Sequence, residues 1–191
     1  GTVNAFDAGS TNTFSLKQAA ITIAKQPTEG FGGLVNLTFG NEADVIASTP
    51  TNTTDNFDVT QAFAQYTSGA LTVIGGKFVT LSGAEVITAT ANSNISRSIA
   101  FFNAIAYTHT GVRAAYTPMA GVTLYLDSNN GWDTQKDTAN KGKTTELGAT
   151  WTSDMVSVAA QAYSGQETVG TLAATRTLFD TVITVKPTKE L

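Results

Sequence analysis

Between residues 143 and 167, apolar and polar side chains alternate in two short runs. Leu147, Ala149 and Trp151 alternate with Glu146, Gly148, Thr150 and Thr152. After Ser153-Asp154, Val156, Val158, Ala160 and Ala162 alternate with Ser157, Ala159, Gln161 and Tyr163. A period of two puts successive side chains on opposite faces of an extended chain, so each run predicts a strand and Ser-Asp a tight turn. The same beat recurs over 14–25, 31–39, 58–66, 71–79, 107–116, 122–126 and about 172–185, which gives about nine strands. In the first of these the apolar phase changes between Phe14/Leu16 and Ile21/Ile23, which predicts a bulge or bend.

The connections alternate too. They are short at 67–69, 117–121 and 153–154, and long at 41–57, 80–106 and 128–143. This rhythm puts turns at one end of the sheet and loops at the other, as in outer-membrane barrels. Within 80–106, Ile95, Ile99 and Phe102 at i, i+4 and i+7 predict a short helix with Asn94 as its cap.

Alternation alone fits two environments. In a soluble sheet the apolar face is a core; in a transmembrane barrel it meets lipid, and the polar face lines an aqueous lumen. The sets Val35/Leu37/Phe39, Val112/Ala114/Tyr116, Leu147/Ala149/Trp151 and Val156/Val158/Ala160 contain no charge. A charge at midspan of a lipid face would cost about 2–4 kcal/mol. The opposite faces carry Asn36, Thr38, His109, Arg113, Glu146, Thr150, Ser157 and Gln161. Aromatic residues fall near strand ends, where Phe39, Tyr116 and Trp151 are expected at the lipid–water interface; Trp132 is expected to anchor its loop there. Charged residues are 14% of the chain, against roughly 25% in ordinary soluble domains. No run reaches the ~18 apolar residues of a spanning helix, which leaves strands of ~9–11 residues as the way to cross a bilayer. The expected fold is all-β: one antiparallel transmembrane β-barrel domain over 1–191.

Composition narrows the chemistry. With no Cys there is no thiol or disulfide, and one His excludes a His-rich metal site. A net charge of -4 argues against nucleic acid as a partner. Asp127, Asn129 and Asp133 around Gly131 faintly resemble a calcium loop but lack its later glutamate, so no metal and no cofactor is assigned. Ser96 has no placeable His partner, and no enzyme is expected. With no leader before Gly1, the chain reads as a mature or trimmed product.

Four stretches together resemble a known family: "NAFDAGSTNTFSLKQAAITIAK" (4–25), "GGKFVTLSGAEV" (75–86), "NSNISRS" followed by "THTGVRAAY" (92–116), and "NNGWD" (129–133). Their order and spacing are similar to those of the bacterial outer-membrane family called putative β-barrel porin 2. The resemblance implies an outer-membrane diffusion channel for small hydrophilic solutes, surrounded by outer-membrane lipid. It also implies a homo-oligomer, a trimer being the common porin assembly. Family members look nearly twice this long, and the chain ends in "KPTKEL" rather than a closing aromatic strand. About nine or ten strands therefore read as part of a longer barrel, since bacterial barrels have even strand counts and no open edge.

On this reading the pore is lined by Glu85, Arg97, His109, Arg113, Asp127 and Glu146. The 80–106 connection either folds into the lumen, bringing Arg97 toward water near Glu85, or packs on the rim. Two other readings fit the composition: a secreted, surface-assembled β-protein such as a layer or filament subunit, and a barrel acting as scaffold for another component.

Overall fold

Among the described residues nine strands form one sheet, each antiparallel to its predecessor and in the order of the chain. The computed structural model describes residues 6, 14–49, 54–94, 96–136, 142–169 and 172–188. The strands are β1 (Ala19–Lys25), β2 (Gly30–Phe39), β3 (Phe57–Ser68), β4 (Leu71–Val79), β5 (Thr108–Met119), β6 (Val122–Asn129), β7 (Thr144–Thr152), β8 (Val156–Val169) and β9 (Leu172–Val185). Short helices α1 (Asn41–Ile46) and α2 (Ile99–Asn103), and a 3-10 turn over Ala89–Ala91, sit in the loops. Expected and observed bounds coincide for β4 and β9.

Three local expectations change. β1 begins at Ala19; the stretch before it runs beside α1, where Asn41 and Glu42 donate backbone N–H bonds to the carbonyls of Leu16 and Lys17 (3.2 and 3.0 Å). The phase change thus marks the edge of a strand rather than a bulge. A bulge does occur, between β2 and β3 at Asn36/Leu37. The cap of α2 is Ser98, not Asn94: its hydroxyl accepts from the Phe101 amide at 3.1 Å. Ile95 lies outside the described residues.

The faces are resolved by two adjacent rows across β6 to β9. Leu126, Leu147, Ala162 and Phe179 stand opposite one another in register, and the three large members are 55%, 58% and 79% exposed. One residue along, Asp127, Glu146 and Tyr163 also stand in register, and they are 1%, 0% and 2% exposed. Apolar side chains point outward and polar ones inward, the inverse of a soluble fold. Among the described residues no second layer covers Leu147 or Trp151.

Curvature comes partly from glycine. Gly76 on β4 has φ +138° and pairs with Gly111 on β5. A Cβ on Gly76 would lie 2.2 Å from the Ala62 carbonyl oxygen. Only a residue without Cβ permits this approach, which kinks the sheet at a corner.

The concave side is crossed by the β4–β5 loop. The Ser82 hydroxyl donates to Gln161 on β8 (2.9 Å), and the Gly83 amide donates to Asp180 on β9 (2.8 Å). A few residues on, Gln18 beside β1 donates to the Ile87 carbonyl (3.0 Å) and accepts from the Ala89 amide (2.8 Å). β1 and β9 are the edges of the sheet and do not pair with each other among the described residues. One short segment therefore touches both edges. At ~3.3–3.6 Å per residue it spans no more than about 20 Å, so the sheet is curled far round.

The buried apolar cluster lies in the loops: Phe6, Ile46, Ile87, Phe101, Ile105 and Tyr107. Phe6 packs 5.7 Å from Phe101 and 6.0 Å from Tyr107, ring centre to ring centre. This core ties the β2–β3 and β4–β5 loops together over the end of the sheet.

Candidate pore lining and constriction

Four of the six residues expected along the pore come together on the inner face. Arg113, Asp127 and Glu146 stand opposite one another on β5, β6 and β7. The Arg113 Nε donates to Asp127 Oδ2 at 2.7 Å, and Nη1 donates to the Val79 carbonyl at 3.1 Å. Its guanidinium lies 4.4 Å over the Phe78 ring. Two carboxylates directly opposite would repel across a strand pair. Donors offset this at Glu146: Asn129 Nδ2 donates at 2.7 Å and Gln161 Nε2 at 3.0 Å. His109 Nε2 lies 3.1 Å from Glu146 Oε1, and Nδ1 lies 3.3 Å from the Gly131 carbonyl. Thr80 reaches the same His109 Nε2 at 3.3 Å and Ser82 reaches Gln161, so the β4–β5 loop covers the cluster.

The other two lie elsewhere. Arg97 is in the loop core, 1% exposed at its side chain, where it pairs with Glu42 of α1 at 3.1 Å. It donates to the Ile87 carbonyl and sits 4.6 Å over the Phe6 ring. Glu85 stays on the loop: its carboxylate accepts from the Ser98 amide at 2.9 and 3.1 Å and from the Ser98 hydroxyl. A carboxylate at the start of a helix satisfies its free N–H groups.

The "NNGWD" stretch divides its labour. Asp133 accepts from the Tyr107 and Thr108 amides at 2.6 and 3.0 Å, which pins this loop to the start of β5. Burial pushes Asp133 up to about 6, against the lowering by those two amides. Burial and then Asp133 also push the Tyr107 hydroxyl up. Trp132 meets Tyr163 edge-on at 5.8 Å, with the Arg176 guanidinium 4.2 Å over its ring. It is thus seated on inward-facing Tyr163. Among the described residues no three of His, Asp or Glu are arranged to hold a metal.

Other aromatic residues stand outward at two levels. Phe39 packs on Phe57 at 5.3 Å at the loop end. Phe31 packs on Tyr66 at 4.7 Å at the turn end, where Tyr116 and Trp151 are about half exposed. Eight residues separate Phe31 from Phe39. At ~3.3 Å each and a tilt near 40° that is about 20 Å of height, close to the ~25 Å apolar band of outer-membrane barrels.

Between the β4–β5 loop and the inner face of β1 to β3 lies a cavity of about 520 Å³. Strand residues Thr22, Asn36, Thr38, Thr60 and Gln61 form one wall, and Ser82, Glu85 and Thr88 belong to the other. Of this wall only Asn36 and Thr38 stood out in the sequence. Thr22 sat in a strand whose phase was obscured by residues 14–18, and Thr60 in a strand shifted by a bulge. A second hollow, of about 520 Å³, is walled in part by outward-facing Phe179 and Ile183. It belongs to the β9 edge, not to the inner face.

No curated protein matches the chain. A solved BenF-like porin from Pseudomonas fluorescens Pf-5 is similar over 87% of this chain and 51% of its own, at 13% identity and a TM-score of 0.33. The chain spans about half the length of that porin. The model of the family described as putative β-barrel porin-2, OmpL-like, matches residues 2–191. An all-antiparallel sheet with its apolar face outward accords with that match, and the chain belongs to the putative β-barrel porin-2, OmpL-like, family.

Proposed function

We propose that this chain forms part of an outer-membrane channel through which small hydrophilic solutes diffuse passively, and that its β4–β5 loop is the constriction. One observation carries the reading. A single loop crosses the concave face from β9 to β1, bonded at both ends, inside a sheet whose outer face is apolar. Such a loop would narrow a pore without filling it, since a cavity of about 520 Å³ lies beside it.

The polar cluster of His109, Arg113, Asp127 and Glu146 would then be wall and anchor at once. It sits on the inner face and holds the loop through Thr80 and, by way of Gln161, Ser82. Glu85 would line the passage itself, and Arg97 would hold the loop core. Lipid is the partner of the outer face. Further strands, from a longer chain or from another copy, would pair the two open edges, which cannot face hydrocarbon unpaired.

The test is conductance in planar bilayers with the full-length protein. A steady, ohmic step per channel is expected, and it should widen when residues 82–91 are replaced by a short Gly-Ser linker. No conductance, or a step unchanged by that replacement, would remove the constriction reading.

A further inference from the structure

We infer that the passage between the β4–β5 loop and β1 to β3 is built for uncharged, polyhydroxylated solutes of sugar size. This rests on the channel reading above.

The wall facing the loop is polar but carries no formal charge. Asn36 Nδ2 donates to Thr22 Oγ1 at 2.6 Å, Thr38 Oγ1 donates to Asn36 Oδ1 at 3.4 Å, and the Thr38 and Thr60 hydroxyls meet at 2.6 Å. The side chains run in one hydrogen-bonded row across β1, β2 and β3, which holds them in place. A hydroxyl that accepts can still donate, and an amide keeps a second N–H. The Gln61 Oε1 accepts from the Val79 amide at 3.4 Å, which leaves its own N–H groups for a solute. Thr38 and Thr60 are buried and spend their protons inside the row, so they hold it in place, while the Thr22 hydroxyl and the second Asn36 N–H are the groups left to meet a solute. Beside it Ala20, Val79, Val86 and Ile87 supply apolar surface that suits the C–H face of a sugar ring. A volume of about 520 Å³ falls within the ~300–1,000 Å³ of small-molecule sites.

The cations of this region are held elsewhere. Lys77 pairs with Asp58 at 3.1 Å, Arg113 with Asp127 at 2.7 Å and Arg97 with Glu42 at 3.1 Å. Among the described lining residues Glu85 is the one that carries charge, and it is negative. An anion entering here sheds hydration and finds no cation to replace it. A neutral polyol exchanges water for hydroxyls and amides at little net cost, and each bond is weak enough to let go.

The experiment is swelling of liposomes that hold the full-length protein, in a neutral hexose and in the hexonate made by oxidising its C1, which is matched in size and differs in charge. The hexose should enter about fivefold faster or more, since the hexonate gives up ion hydration that uncharged donors and acceptors replace only in part. Thr22→Lys, which adds a cation to the wall, should bring the two rates together; Asn36→Asp should widen the gap. Equal rates in the unaltered protein, or a Thr22→Lys variant that folds and leaves the ratio unchanged, would overturn the inference while leaving a working channel. Absence of swelling and of ion conductance together would overturn the channel reading beneath it.

Discussion

Arg113 illustrates how one residue serves both faces of the problem. It is 7% exposed and holds Asp127 while Glu146 lies directly opposite Asp127 on the next strand. Removing one partner of a buried ion pair costs about 3–5 kcal/mol, because the other charge stays buried without it. Arg113→Ala should therefore lower the thermal unfolding temperature in detergent, and Arg113→Ala with Asp127→Asn should recover most of the loss. Failure of the double substitution to recover stability would show that packing on Phe78 matters more than charge. Asp133 gives a pH signature. Its folded value of about 6 lies above the ~3.9 of an unfolded carboxyl, so between these values the folded state holds the extra proton. Docking of its loop is strongest below pH ~4, weakens as pH rises through about 6, and is flat above. Trp132 fluorescence in a Trp151→Phe background should follow this curve, and Asp133→Asn should flatten it.

Elements repeat the lesson at larger scale. The α2 helix spans five residues and depends on Ser98, whose amide and hydroxyl are both held by Glu85. Ser98→Ala should cost about 1 kcal/mol, seen as faster proteolysis of the β4–β5 loop with the barrel intact. Gly76→Val should be far more damaging, since its Cβ would collide with β3 backbone; loss of the folded protein in detergent, read by circular dichroism, is expected. The strands were legible because a period of two survives wherever one face is apolar, as in Leu147/Ala149/Trp151 against Glu146/Thr150. Nine strands, the β4 and β9 bounds and the long-and-short rhythm as far as β8 followed from that; the β8–β9 connection, between Val169 and Leu172, is short where the rhythm expects a long one. The site was legible only in part. Phase placed His109, Arg113, Asp127 and Glu146 inward, but nothing local says that Arg97 turns into a loop core toward Glu42, or that Ser98 rather than Asn94 caps the helix. Both depend on contacts between segments distant in sequence, such as α1 with the β4–β5 loop. A bulge at Thr60 and the irregular stretch before Ala19 hid Thr22, Thr60 and Gln61 of the cavity wall for the same reason: each shifts the alternation that phase reading relies on.

At the scale of the whole molecule, burial is inverted. Large apolar residues such as Leu126, Leu147 and Phe179 are outside, while charged and amide groups are inside. This arrangement is costly in water and favourable in a bilayer. Leu147→Arg puts a charge on the lipid face and should cost about 2–4 kcal/mol, visible as poor insertion into lipid vesicles. Ser157→Arg, on the inner phase of the adjoining strand, should insert normally. The absence of Cys makes the most direct measurement clean. Single cysteines at 147, 149, 150, 151 and 152 along β7, spin-labelled in lipid vesicles, report collisions with membrane-dissolved oxygen or with a water-soluble nickel chelate. The account predicts that the two faces separate: oxygen dominant at 147, 149 and 151, nickel dominant at 150 and 152. Labels at 147, 149 and 151 shielded from both reagents, as in a dry core, would contradict it.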